Sequence, residues 1–133
     1  MKQINWKLIF GLSLIGLAMA FATTYLGIMK YEWAIWIPIL LLNSFLVAKF
    51  CSGSYFLNGF AISLANCVWI TGIHILLMDV YLMNNPDYIT MLQDMPMPTR
   101  PRVMALMMGP IVGIIFGIVQ GALSWGASKM FKK

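Results

Sequence analysis

The fold is decided by residues 103–129, which read VMALMMGPIVGIIFGIVQGALSWGASK and carry no charged side chain before the final lysine. Small residues recur at every fourth position of this stretch, at Ala105, Gly109, Gly113, Gly117 and Gly121. In water, each glycine inside a helix costs about 1 kcal/mol relative to alanine. In lipid, the backbone must form a helix because no water satisfies its polar groups, and small residues allow another helix to approach closely. The stretch therefore predicts a membrane-spanning helix with a glycine zipper.

The composition of the whole chain agrees with a membrane protein. Of its 133 residues, 61% are hydrophobic and 10% are charged, whereas soluble domains carry about 25% charged residues. A span needs about 20 apolar residues. The intervals between charged residues predict four spans, at about 8–29, 33–50, 56–80 and 103–127. We therefore predict an all-α, four-helix transmembrane bundle that forms a single membrane domain over residues 1–133.

The first span also has features of a secretory signal, because Lys2 and Lys7 precede an apolar core with small residues around Ala20. The apolar run continues to Met29 and is long enough to cross a bilayer. We therefore expect a retained helix. Gly16 and Ala20 begin a second row of small residues in this span, and bundle packing is the preferred interpretation of that row.

The basic residues favour an orientation with both termini in the cytoplasm, because lysine and arginine are enriched in cytoplasmic segments. Six of them then lie on the inner side and three on the outer side. The inner set is Lys2, Lys7, Lys49, Lys129, Lys132 and Lys133, and the outer set is Lys30, Arg100 and Arg102. We assign the net charge of +5 to this topology and to contact with anionic lipid, not to nucleic-acid binding. The expected location is the cytoplasmic (inner) membrane of a bacterium.

The long connection between spans three and four lies on the predicted outer side. Residues 84–87, Asn-Asn-Pro-Asp, are typical of a helix start, and apolar residues follow at helical spacing. We expect a short amphipathic helix on the membrane surface there. In contrast, residues 30–32 predict a tight turn between spans one and two. On that assignment spans one, two and four contain no carboxylate, which counts against a proton-coupled transporter.

The third span carries polar side chains, and an ionisable residue inside a membrane is a functional candidate by default. The candidates are Asn66, Thr71, His74 and Asp79. Structural roles are preferred for three of them. Asn66 is expected to bond across helices, and His74 to be satisfied by a side chain or carbonyl inside the bundle. Asp79 is expected to pair with Arg100, Arg102 or Lys30. His74 and Asp79 are five residues apart and lie on different faces of a helix, which argues against an acid–base pair.

Methionine is frequent, with twelve residues in the chain. Thioethers are soft ligands suited to Cu(I), so a methionine-rich loop with Met91, Met95 and Met97 could form a copper site together with His74. Methionine is also a flexible apolar filler, and this is the preferred interpretation. No other cofactor is expected, because the sequence has no nucleotide-binding loop or nucleophile motif.

Two functions from different classes remain. The first is a non-catalytic packing or scaffold module, as a homo-oligomer or an accessory subunit of a larger membrane complex. Rows of small residues on three of the four spans support it, including Gly59 and Ser63 on span three. The second is a small transporter, channel or Cu(I)-handling protein whose site lies in the outer half of span three. Enzymatic activity is not expected for either.

Overall fold

The computed structural model describes residues 3–131, which form six α-helices and a final 3-10 turn. The helices are α1 (Trp6–Leu26), α2 (Met29–Phe50), α3 (Tyr55–Leu76), α4 (Met78–Asn84), α5 (Pro86–Gln93) and α6 (Pro101–Ser128). Four of them, α1, α2, α3 and α6, are long and apolar enough to cross a membrane. The prediction of an all-α chain with four long apolar helices is therefore confirmed. The terminal lysines used for the predicted orientation, Lys2, Lys132 and Lys133, lie outside the described residues.

Helix α2 begins earlier than the predicted second span, and this changes the position of an acidic residue. Gly27 ends α1 with a φ of 63°, in the left-handed region that glycine tolerates, and α2 starts at Met29. The predicted tight turn at residues 30–32 is therefore wrong, as is the expectation that span two has no carboxylate. Glu32 lies in the first turn of α2, where the helix dipole favours negative charge.

Helix α3 ends before the predicted end of the third span. Its last residue is Leu76, and the separate helix α4 begins at Met78. Asp79 therefore belongs to α4 and not to a spanning helix. We refer to the end of the bundle that carries α4 and α5 as the loop end. The opposite end, which carries the connection at residues 51–54, is the turn end.

Two asparagines attach the loop end to the rest of the bundle. Asn84 Nδ2 donates a hydrogen bond to the Thr24 carbonyl at 2.9 Å. The buried Asn85 side chain donates to the Thr23 carbonyl at 2.9 Å and accepts from the Met29 amide at 3.2 Å. These bonds hold α4 and α5 against the connection between α1 and α2. Helix α5 covers the segment for which the sequence predicts an amphipathic surface helix, and its contact with a membrane surface stays a prediction.

The contact between α3 and α6 is the most extensive between any two helices of the described chain. The glycine row of α6 makes it possible. A Cβ atom at Gly113 would lie 2.8 Å from Cys67 Cβ and Sγ, and one at Gly117 would lie 2.8 Å from the Phe60 ring. The other pairs in the row are Gly109 with Thr71 and Gly121 with Phe56. Larger residues would not allow the two backbones to approach this closely.

The other predicted small-residue rows also make contacts inside the chain. The pairs are Gly16 with Asn66, Gly59 with Ser124, and Ser63 with the Gly113 carbonyl. Ala20 is fully buried. The rows on α1 and α3 therefore contribute to packing within one copy of the protein.

The remaining helices are arranged around the central pair. Helix α1 packs on α3 and α2 packs on α6, whereas α2 makes only slight contact with α1 and α3. At the turn end, an apolar cluster of Ile9, Val47, Cys51 and Ile62 fills the space between α1, α2 and α3.

We predict that Gly113→Ala destabilises the protein by about 1–3 kcal/mol, because the new methyl group overpacks the contact with Cys67. Gly126→Ala is the matched control on the same helix, since a Cβ there meets no atom within 4 Å. It should leave stability unchanged or raise it slightly. Thermal unfolding of both variants in one detergent checks the difference. Equal shifts of the unfolding temperature would contradict close packing at Gly113.

Candidate functional site

A cavity of about 370 Å³ lies between α2, α3 and α6, toward the loop end. The cavity exists because α2 packs on α6 and leaves a gap beside α3. Helices α4 and α5 border this gap. Its aromatic wall comprises Trp33, Trp36, Tyr81, Tyr88 and Phe116. Its polar groups come from Glu32, Ser63, Asn66, Cys67, Thr71 and His74. The cavity therefore combines apolar walls with a small number of convergent polar side chains.

Glu32 is the acidic residue of the cavity. Trp36 Nε1 donates to Glu32 Oε1 at 3.2 Å, one helical turn away. Residues 3–131 contain one ion pair, between Arg102 and Asp79 at 3.1 Å. Glu32 therefore has no basic partner among the described side chains. Sequence reasoning missed Glu32 because it assigned this residue to a turn. The signal that could have found it is the spacing of Glu32 and Trp36, which places both on one helix face.

Two tyrosines from the loop end form part of the wall. The ring centroids of His74 and Tyr81 are 4.2 Å apart, and those of Tyr81 and Tyr88 are 5.1 Å apart in an edge-to-face arrangement. Burial raises the pKa of both phenols above the usual value, and the charge of Glu32 adds to the increase for Tyr81. Both hydroxyls therefore stay protonated near neutral pH and are available as hydrogen-bond donors.

His74 lines the cavity with its imidazole ring. The ring lies near the backbone of Ala20 on α1. The Nε2 atom is buried and has no hydrogen-bond partner in the described chain. The side-chain or carbonyl partner expected for His74 from the sequence therefore stays a prediction.

The other three polar residues predicted as candidates in the third span lie either in helix contacts or at an exposed position. Asn66 Oδ1 accepts a hydrogen bond from the Gly16 amide at 3.1 Å, which links α3 to α1. The Thr71 side chain packs on Gly109 and also lines the cavity. Asp79 is exposed, pairs with Arg102 and does not line the cavity. The structure therefore brings Asn66, Thr71 and His74 together but leaves Asp79 outside.

The methionines of the predicted copper site lie outside the lining of the cavity. None of Met91, Met95 and Met97 lines the cavity that contains His74. The part of the chain that the structure describes also has no group of three or more His, Cys, Asp or Glu side chains suited to a metal ion. A Cu(I) site therefore stays a prediction, and its three methionines are not part of the cavity that contains His74.

The polar groups of the cavity do not form a nucleophile–base pair. The Cys67 thiol donates to the Gly109 carbonyl at 2.8 Å and approaches the Thr71 hydroxyl at 3.7 Å. Nucleophilic catalysis requires a base within hydrogen-bond reach of the thiol, and no bond joins Cys67 to His74 among the described contacts. This arrangement can bind and orient a small molecule by charge, hydrogen bonds and aromatic contact.

A second polar cluster lies between α2 and α6. Gln120 Nε2 donates to the Leu40 carbonyl at 3.1 Å and to Ser44 Oγ at 2.6 Å. Asn43 is also fully buried, but neither of its side-chain polar atoms has a partner within residues 3–131. Gln120 therefore joins two helices, whereas Asn43 does not.

Comparison of the chain with protein-family models, with curated proteins and with solved structures finds no match.

We predict opposite effects for two amide-to-leucine changes. Gln120→Leu should lower stability by about 1 kcal/mol, because it removes two interhelical hydrogen bonds of about 0.6 kcal/mol each. Asn43→Leu should leave stability unchanged or raise it, because it replaces an unpaired buried amide with an apolar group of similar size. Thermal unfolding of the two variants provides the measurement. A larger loss for Asn43→Leu than for Gln120→Leu would show that Asn43 has a partner this account lacks.

Proposed function

We propose that this protein is a non-catalytic integral membrane protein that binds a small molecule in the cavity between α2, α3 and α6. The observation that carries the proposal is the lining itself, which places Glu32, His74 and two tyrosines against apolar walls. Ligand sites are typically apolar concavities of about 300–1,000 Å³ with a few placed polar groups. Binding of this kind suits a small transporter or channel better than a scaffold.

The packing of the bundle supports binding over a scaffold role. Protein interiors rarely leave spaces much larger than a water molecule, so ordinary helix packing does not account for a cavity of about 370 Å³ between α2, α3 and α6. Rows of small residues suggest an oligomer or an accessory subunit only when there are more of them than the helix contacts within one bundle require. Here Gly16, Gly59 and Gly113 all meet groups of the same chain. The lipid bilayer is therefore the partner that this interpretation requires.

The proposed orientation places the turn end in the cytoplasm and the loop end outside, in a bacterial cytoplasmic membrane. Basic residues of the described range occur at both ends, so the excess on the inner side comes from the terminal lysines. The described ones are Lys7, Lys49 and Lys129 at the turn end and Lys30, Arg100 and Arg102 at the loop end. The aromatic residues Trp6 and Trp125 at the turn end are suited to a membrane interface. In this orientation the cavity lies in the outer half of the membrane.

The orientation can be tested with single cysteines at two exposed positions, Thr99 near the loop end and Lys129 at the turn end. In a background with Cys51 and Cys67 replaced by alanine, Thr99→Cys should react with a membrane-impermeant thiol reagent on intact cells. Lys129→Cys should react only after the cells are lysed. The reverse pattern would contradict the proposed orientation.

Access to the cavity can be measured at Cys67, which lines it. The thiolate is the reactive form of cysteine, so reaction with N-ethylmaleimide reports water and reagent at the sulfur atom. We expect Cys67 to react, whereas Cys51 is buried and burial raises the pKa of its thiol. Peptide mass spectrometry resolves the two sites in the unmodified protein.

A cavity-filling variant supplies the control for this measurement. Ala105→Trp places an indole at a lining position and should slow the reaction of Cys67 by at least about tenfold, corresponding to about 1.4 kcal/mol. Ala122→Trp makes the same change at an exposed position of α6 and should have little effect. An unreactive Cys67 in the unmodified protein, or equal rates in both variants, would refute the proposed function.

A further inference from the structure

We propose that the cavity selects a monovalent organic cation, a quaternary or protonated amine with an apolar body, and that Glu32 supplies its countercharge. This inference rests on the proposed function, because it names the chemical class that the same cavity would bind. It concerns Glu32, Trp33, Trp36, Tyr81 and Tyr88, which all line the cavity.

Glu32 brings to the cavity a carboxylate that no described basic side chain pairs with. Two of the three basic residues at the loop end contact other groups. Lys30 Nζ lies 5.1 Å from the centre of the Tyr31 ring, and Arg102 is bound to Asp79. Charged groups within membrane proteins are costly unless they are paired or hydrated. A cation in the cavity would neutralise Glu32, whose Oε1 atom is already oriented by the Trp36 N–H.

Aromatic rings form one wall of the same cavity. The faces of tryptophan and tyrosine rings attract cations within about 6 Å, most strongly where water is excluded. Four such rings reach the cavity from three different helices. Trp33 and Trp36 belong to α2, Tyr81 to α4 and Tyr88 to α5. Four aromatic rings and one carboxylate in the same cavity favour a compact cation with apolar substituents over a hydrated metal ion.

The lining also disfavours a negatively charged ligand. An anion in the cavity would meet Glu32 at close range, and repulsion would be strong in a site with limited water. The polar groups therefore complement positive charge.

A matched pair of probes tests the inference in the intact protein. Benzyltrimethylammonium and neopentylbenzene have the same shape, and differ by one positive charge at the central atom. Each is added before N-ethylmaleimide, and protection of Cys67 is measured by peptide mass spectrometry. We expect the cation to slow labelling at least fivefold at a concentration at which the neutral isostere has no effect.

Two variants test whether Glu32 causes the preference for the cationic probe. Glu32→Gln should weaken protection by the cation about tenfold, as expected for removal of a focused charge. Asp79→Asn is the control, because it removes an acid from the same end of the bundle that does not line the cavity. It should retain protection. The rate of Cys67 labelling without a probe shows whether each variant is folded.

The outcomes separate this inference from the proposed function. Equal protection by the two probes in the unmodified protein would overturn the cation preference and leave ligand binding in place. Equal loss of protection in Glu32→Gln and Asp79→Asn would overturn the role of Glu32. Protection by the neutral probe alone would also contradict the inference. An unreactive Cys67 would instead refute the proposed function itself.

Discussion

The close contact between α3 and α6 is the constraint on which the rest of the structure depends. Glycines along α6 allow side chains of α3, such as Phe60 and Cys67, to lie directly against its backbone. The two outer helices then take different partners, since α1 packs on α3 and α2 packs on α6. Helix α2 is consequently not packed along α3. An apolar cluster joins α2 and α3 to α1 near the turn end, whereas toward the loop end a cavity lies between α2, α3 and α6.

The polar residues inside the bundle differ in what they bond. Asn66, Asn85 and Gln120 each form hydrogen bonds to the backbone of another helix. Such bonds satisfy polar groups that lipid cannot and fix the positions of the helices. Glu32 and His74 are different, because one has no basic partner among the described residues and the other keeps an unpaired nitrogen. Both line the cavity, whereas Asn43, which also has no partner among the described residues, does not.

The sequence predicts the architecture well because four long uncharged intervals are a direct consequence of the bilayer as solvent. The glycine row also indicates a close helix contact, although only the structure shows that its partner is α3. Glu32 was assigned incorrectly because a charged residue between two apolar runs resembles a turn, while Gly27 two residues before α2 is the actual break. The cavity could not be predicted, since it arises from which helices pack together and not from any local pattern.

Ligand binding requires that water reaches the cavity between α2, α3 and α6, whereas the apolar cluster of Ile9, Val47, Cys51 and Ile62 excludes it. Two isoleucines of α3 test this, because Ile62 is fully buried in the apolar cluster and Ile70 lines the cavity. Each is changed to cysteine in a background without native cysteines, and the rate of reaction with N-ethylmaleimide is measured. The account predicts rapid reaction for Ile70→Cys and negligible reaction for Ile62→Cys. Equal rates at the two positions would contradict it.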